Sequence, residues 1–282
     1  MLDTYAAMMR EHGYIPMNHS TPNFFPVDAG PIYDDRGKKI PGHQRVFRGD
    51  SGDTLGIHTE KYTMVPYEKH FSIFEDAILA SKLDKQGMQV ATDMSDNGAR
   101  IFRQYLFPSE TSVVLDSKGQ ENRLALRIIS FDSYDGSSAF IAKAGFFNFI
   151  CANESIFGNS LINIRFRHTG DVQARVEEAA GKMIVASERF REEATRMERW
   201  PNITVDANQL AVLLEHLPQS NNTLINQFVS DFARNGNDDL WDVNQFLTSW
   251  ATHGIPPKIK ADRQKRVTDL VESPAWKRLE VA

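Results

Sequence analysis

The sequence predicts an α+β protein with an antiparallel β-meander core, a long helix after the sheet and a helical C-terminal region. Three observations carry that expectation. Short apolar runs between residues 89 and 143 are separated by the turn signals Asp96-Asn97-Gly98, Lys118-Gly119 and Asp135-Gly136. From Asp171 the apolar period changes from two to about 3.5. Beyond Pro201 come short helix-length segments, each bounded by caps and breakers.

In chain order, residues 1–45 are rich in Pro, Gly and Asp and read as an irregular N-terminal arm. Residues 46–200 read as the α+β core, and residues 201–282 as the helical C-terminal region. Between Arg45 and Val65 short strands are expected on either side of Gly49-Asp50-Ser51-Gly52-Asp53. Pro66 then opens a helix to Asp84, with Tyr67, Phe71, Phe74 and Ile78 at helical spacing. The meander runs through strands at 89–94, 99–107, 111–116, 122–131 and 138–143, with two more at 146–151 and 161–167. Strands joined by such tight turns must be mostly antiparallel neighbours. Val172, Val176, Ala179, Met183, Ala186 and Phe190 form the stripe of one helix over 171–199, roughly 43 Å long at ~1.5 Å per residue. Glu178 with Lys182, and Glu192 with Arg196, are spaced to pair along it. Asp206 and Gln209 form a capping box for a helix to Leu217. Further helices are expected at 224–234 and 241–253, with a basic tail from Lys258 to Arg266 leading into a last short one.

Composition narrows the class. The chain has 282 residues, 41% apolar and 24% charged, which suits an ordinary globular protein. A net charge of -5 argues against a coat of duplex DNA held by overall basicity. The lone cysteine, Cys151, excludes an intramolecular disulfide and fits a reducing compartment. No apolar run is long enough for a membrane span, and the first residues lack a signal-peptide pattern, so a cytoplasmic location is expected.

No motif declares enzyme chemistry. There is no phosphate loop, no dinucleotide fingerprint and no pair among the eight histidines at metal-ligand spacing, so no cofactor or metal is expected. Gly49–Asp53 looks like the nucleophile segment of trypsin-like proteases, but only 50 residues precede Ser51, too few for the rest of such a site. Asp93, Asp96, Asp132 and Asp135 could be imagined around a divalent metal; as openers of hairpin turns they have a simpler explanation. What the chain does offer is arginine on strands. With period two, Asn163, Arg165 and Arg167 share one face, opposite Ile164 and Phe166, and Arg123 and Arg127 share another. Arg100 and Arg103, three apart, cannot share a face. Arginines that grip phosphates beside rings such as Tyr105 are the usual equipment of single-strand binders. The plain alternative is a solvated sheet face over an aromatic core.

The order of motifs resembles a known family. Leu55-Gly56-Ile57 with Lys61-Tyr62-Thr63-Met64-Val65-Pro66-Tyr67, then Gly98-Ala99-Arg100-Ile101-Phe102, Ser133-Tyr134-Asp135-Gly136-Ser137-Ser138, Phe149-Ile150-Cys151-Ala152-Asn153 and Arg167-His168-Thr169 follow one another as in the phage/plasmid-like family called domain of unknown function 932. Trp241-Asp242-Val243-Asn244 and Trp250-Ala251-Thr252-His253-Gly254 are similar to its C-terminal end, so the likeness covers about residues 45–254. Where the family has Arg ahead of the Cys, this chain has Phe147-Asn148-Phe149, which leaves that basic contact either lost or moved to Lys143. Members occur among phage and plasmid genes near replication or recombination functions, which implies by association a role on nucleic acid in a host cytoplasm.

The leading expectation is a non-catalytic DNA replication or recombination protein that binds or anneals single-stranded DNA as an oligomer. Arg100, Arg103, Arg127, Lys143, Arg165, Arg167 and His168 are the expected phosphate contacts and Tyr105 the stacking ring. Two rivals stand beside it. A phage factor that subverts a host protein would form a stable complex with that protein and show no salt-dependent DNA binding. A metal-dependent nuclease built on the aspartates would nick plasmid only with a divalent ion.

Overall fold

The computed structural model describes residues 14–16, 24–95, 97–148, 154–156, 164–215, 217, 228–230, 232, 238–252 and 257–281. The chain divides into two compact units: Met1–Phe107 with Arg127–Ala144 and Ser160–Glu188, and Pro108–Leu126 with Gly145–Asn159 and Arg189–Ala282.

In the first unit, part of the expected irregular arm is regular sheet. β2 (Val27–Tyr33), β3 (Lys39–Arg48) and β4 (Thr54–Thr59) pair antiparallel in that order. The turn-rich composition encodes their hairpins. Asp34 Oδ1 accepts the backbone N–H of Arg36 at 3.0 Å and of Lys38 at 2.8 Å, closing the β2–β3 turn. Gly49–Asp53 is the β3–β4 turn, where Asp50 pairs with Arg48 at 2.7 Å. Val27, Val46 and Leu55 bury their side chains beside Tyr67, Phe71 and Tyr134.

Helix α1 (Tyr67–Ala80) starts after Pro66 and buries Tyr67, His70, Phe71, Phe74 and Ile78. Those positions are the expected stripe plus one histidine on the same face. The sheet that follows is the expected meander: β5 (Gln89–Ser95), β6 (Arg100–Leu115), β7 (Glu121–Ser133) and β8 (Phe140–Asn148) are neighbours in sequence order, with β1 (Tyr14–Pro16) beside β5 and β10 (Ile164–Phe166) beside β8. The Asn97-Gly98 turn holds Gly98 at φ 78°, and Gly136 takes φ 72° in the Asp135-Gly136 turn.

Two expected breaks are absent and one appears unannounced. β6 runs as one strand through Pro108, where two were expected; the proline marks its passage from the first unit to the second. Strand 138–143 likewise continues to Asn148. The single long helix is instead α2 (Val172–Glu188) and α3 (Phe190–Met197), parted at Arg189 with φ -81° and ψ 0°, at the boundary between units.

The second unit takes the far ends of β6, β7 and β8, and β9 (Glu154–Ile156) pairs with β8 there. Arg196 does not pair with Glu192 as its spacing suggested. It donates to Glu280 and Glu272, both at 2.7 Å, and to the Val271 carbonyl at 2.9 Å. The capping box is present in full before α4 (Ala207–Glu215): Asp206 Oδ1 accepts the Gln209 N–H and Gln209 Oε1 accepts the Asp206 N–H, each at 2.8 Å. Next come α5 (Leu240–Thr252), α6 (Pro257–Val271), which absorbs the basic tail, and α7 (Pro274–Glu280). Cys151, Asp96 and most of the expected 224–234 helix lie outside the described residues. Among the described residues, no helix is long and apolar enough to cross a membrane.

Candidate functional site

The structure separates the expected contact residues into buried and exposed sets. Arg103, Arg127, Lys143 and His168 are 5%, 2%, 3% and 4% exposed, and Tyr105 is 0% exposed. At those values no phosphate reaches the cations and no base reaches the ring, which corrects the expectation for these five. The reason is that the middle of the meander is covered on both faces: every residue from Leu124 to Ser133 is buried. Strand alternation then assigns a face without assigning solvent. Arg103 donates to Thr92 Oγ1 at 2.6 Å, to the Tyr105 hydroxyl at 3.0 Å and to Glu75. Arg100 and Arg167 are exposed. Arg165 sits on β10 opposite Ile141 of β8.

The resemblance-bearing segments around residues 55–67, 98–102, 133–138 and 167–169, far apart in sequence, meet in the first unit. Tyr67 donates its N–H to the Tyr134 hydroxyl at 2.8 Å and its own hydroxyl to the Ala99 carbonyl at 2.9 Å, and their rings stack at 3.9 Å. Tyr134 N–H bonds the same Ala99 carbonyl at 2.7 Å. Arg100 Nε donates to Asp135 at 2.6 Å. His58 Nε2 donates to the Tyr134 carbonyl at 2.6 Å, and its ring stacks on Tyr62 at 3.9 Å. Tyr62 donates to the Ser133 carbonyl at 3.2 Å. Thr63 N–H bonds the His168 carbonyl at 2.9 Å, while Tyr62 and Thr169 form a β-bridge.

At the centre lies a cluster that no spacing in the sequence announces. Asp132 at the end of β7 accepts His70 Nδ1–H on one oxygen at 2.6 Å and His168 Nε2–H on the other at 2.7 Å. The three side chains are 0–4% exposed. Burial pushes the Asp132 carboxyl up, but the charges and hydrogen bonds of the two imidazoles outweigh it and hold the group at about 2. Burial pulls His168 down, and Asp132 with the Thr63 backbone more than reverses that, so its pKa is raised. Both carboxylate oxygens are occupied, while His70 Nε2 and His168 Nδ1 are buried with no hydrogen-bond partner among the described residues. The cluster's work is internal: charge-assisted bonds tie α1, β7 and the segment before α2 together. His70 was legible in one respect, since a histidine on an apolar helical stripe must find a buried partner.

Asp132 and Asp135 are therefore committed to His70, His168 and Arg100, and the Asp93 side chain and Asp96 lie outside the described residues. Among the described residues, no group of three or more His, Cys, Asp and Glu is placed to hold a metal ion.

The chain is thus an α+β protein with an antiparallel meander and a buried His–Asp–His cluster in its first unit. The family model "Domain of unknown function (DUF932)" matches residues 54–274, and the chain belongs to this family. Among curated proteins it is similar to UPF0380 protein YafZ of Escherichia coli (strain K12), 26% identical over 153 residues, which are 52% of this chain and 50% of that protein. It is also similar to UPF0380 protein YfjQ of the same strain, 34% identical over 71 residues, which are 25% of this chain and 26% of that protein. The chain thus spans half or less of the length of these relatives. No solved structure matches it.

Proposed function

We propose that this protein is a non-catalytic binder of single-stranded DNA, serving replication or recombination, and that it takes phosphates at the outer edge of the motif cluster. One observation supports this reading above the others. The Tyr62–Thr169 bridge brings exposed cations from separate segments to one edge of the first unit: Lys61 and Arg167 flank the bridge, and Arg175 Nη2 lies 3.8 Å from where a Cβ on Gly170 would stand. Half-buried Tyr62 stacks between His58 at 3.9 Å and His168 at 5.1 Å, so it holds the bridge in place and the contact with the strand falls to the cations. A local edge of this kind binds single strands despite an acidic whole, because affinity follows where charges sit and the counterions they release.

Fluorescence anisotropy with a labelled single-stranded oligonucleotide tests it, across a salt series and beside a duplex control. Binding that prefers the single strand and weakens with salt is expected. Lys61→Glu with Arg167→Glu is expected to lower affinity at least about tenfold and to flatten the salt slope by about two counterions. No binding by the parent protein at low salt overturns the reading and leaves capture of a host protein as the one to pursue.

A further inference from the structure

We propose that His70, Asp132 and His168 form a proton-operated latch, in which one proton held in the core ties the Arg167–Gly170 segment to α1 and β7, and its loss in alkali loosens that segment. The inference goes beyond the nucleic-acid reading and does not depend on it.

The geometry sets the charge balance. Each Asp132 oxygen is within 2.6–2.7 Å of one imidazole nitrogen, in side chains almost wholly removed from water. A carboxylate with two neutral rings leaves a bare negative charge in the core, and two protonated rings leave a positive one. Either is costly to bury. One imidazolium closes the balance. His168, with Nε2 2.7 Å from Asp132 and a pKa that Asp132 raises, is the ring assigned to hold it.

The neighbours do not compensate if that proton leaves. From α1 the cluster is faced by His70 and Tyr67, from the preceding segment by Tyr62, and beyond β7 by Tyr134 and Asp135. Burial first, and the Asp132 charge after it, raise the Tyr62 and Tyr67 hydroxyls; burial likewise raises Tyr134, so all three stay neutral. Asp135 stays charged: burial pushes it up, but bonds from Ser137 and Arg100 pull it below the ordinary carboxylate value. Hence a proton lost from the cluster is an uncompensated charge. What it loosens is specific: the Thr63 N–H to His168 carbonyl bond of 2.9 Å, and the Thr63 hydroxyl to Gly170 carbonyl bond of 3.1 Å.

The sign follows from linkage. A histidine raised in the folded state stabilises fully below its unfolded value of about 6.5, and the contribution is lost as pH rises through the folded value.

The test is ¹⁵N-histidine NMR on the full chain from acid to alkaline pH, with hydrogen exchange of the Thr63 amide. One imidazolium signal, from His168, is expected to persist well above the ordinary histidine value. Over its titration Thr63 exchange is expected to rise about tenfold after correction for intrinsic rates, while the Phe102 amide does not change. His70→Gln combined with His168→Gln, which keeps N–H donors toward Asp132 but leaves neither ring to take the proton, is expected to abolish the step. Both rings neutral by about pH 6 in the parent, or a step that survives in the double variant, overturns the proposal; if that variant fails to fold, the parent titration alone decides.

Discussion

Replacing Asp132 with Ala is expected to destabilise the protein by about 3–5 kcal/mol near pH 6, measured by urea unfolding. The carboxylate is the single acceptor of two buried imidazole N–H groups, at 2.6 and 2.7 Å. Removing it leaves an imidazolium without its counter-charge and two donors without an acceptor, in a region where every residue from Leu124 to Ser133 is buried. Asp132→Asn is expected to cost less, because its oxygen still serves one ring, though its NH₂ then meets the other N–H unless that ring changes tautomer. The parent protein should also lose stability in acid. A carboxyl lowered from 3.8 to about 2 contributes stability that is complete above the unfolded value and disappears as pH falls through the folded one. That contribution is of order 2 kcal/mol, absent from Asp132→Asn.

The second large effect is expected at Gly56. A Cβ there would stand 2.2 Å from the Tyr134 carbonyl oxygen, 2.7 Å from His58 Nε2 and 2.9 Å from the Asp135 Cα. Two of the three obstacles are backbone, so no rotamer change relieves them. Gly56→Ala must push β4 away from the Ser133–Ser138 turn and break the 2.6 Å bond from His58 to the Tyr134 carbonyl. Overpacking of this kind costs about 1–3 kcal/mol, and the lost hydrogen bond about 1 kcal/mol more. Gly181 is the control. It sits inside α2 with nothing within 4 Å of a Cβ, so Gly181→Ala is expected to stabilise by about 0.5–1 kcal/mol. Thermal unfolding of the two variants should move in opposite directions.

Much of the fold was legible because it is encoded locally. The Asn97-Gly98 and Asp135-Gly136 turns, the stripe of α1 and the Asp206–Gln209 box each depend on residues a few positions apart. The turns before residue 45 are equally local, but a high density of turn residues also suits an irregular segment, and Asp34 and Gly37 make a hairpin of β2 and β3. Less legible was anything that depends on what covers a face. Period two put Arg127 on a polar side of its strand, but β7 is covered on both sides, and only tertiary packing says so. The central cluster was out of reach of any spacing argument, since Asp132 is 62 residues from His70 and 36 from His168. The family resemblance pointed to the right neighbourhood through the order of its motifs. The surface contact expected of His168 alongside the strand arginines is instead a core one.

Burial of Arg103, Tyr105, Arg127, Lys143 and His168 narrows the surface on which a strand can be held. Of the residues first expected to touch nucleic acid, Arg100 and Arg167 are exposed, and the Tyr62–Thr169 bridge brings exposed Lys61 to the segment that carries Arg167. Ultraviolet crosslinking of the full chain to a single-stranded oligonucleotide, followed by peptide mapping, tests this most directly. The account predicts crosslinks in the peptides carrying Lys61-Tyr62 and Arg167-His168. Crosslinks confined to α6 and the rest of the second unit, with these two peptides untouched, would contradict it.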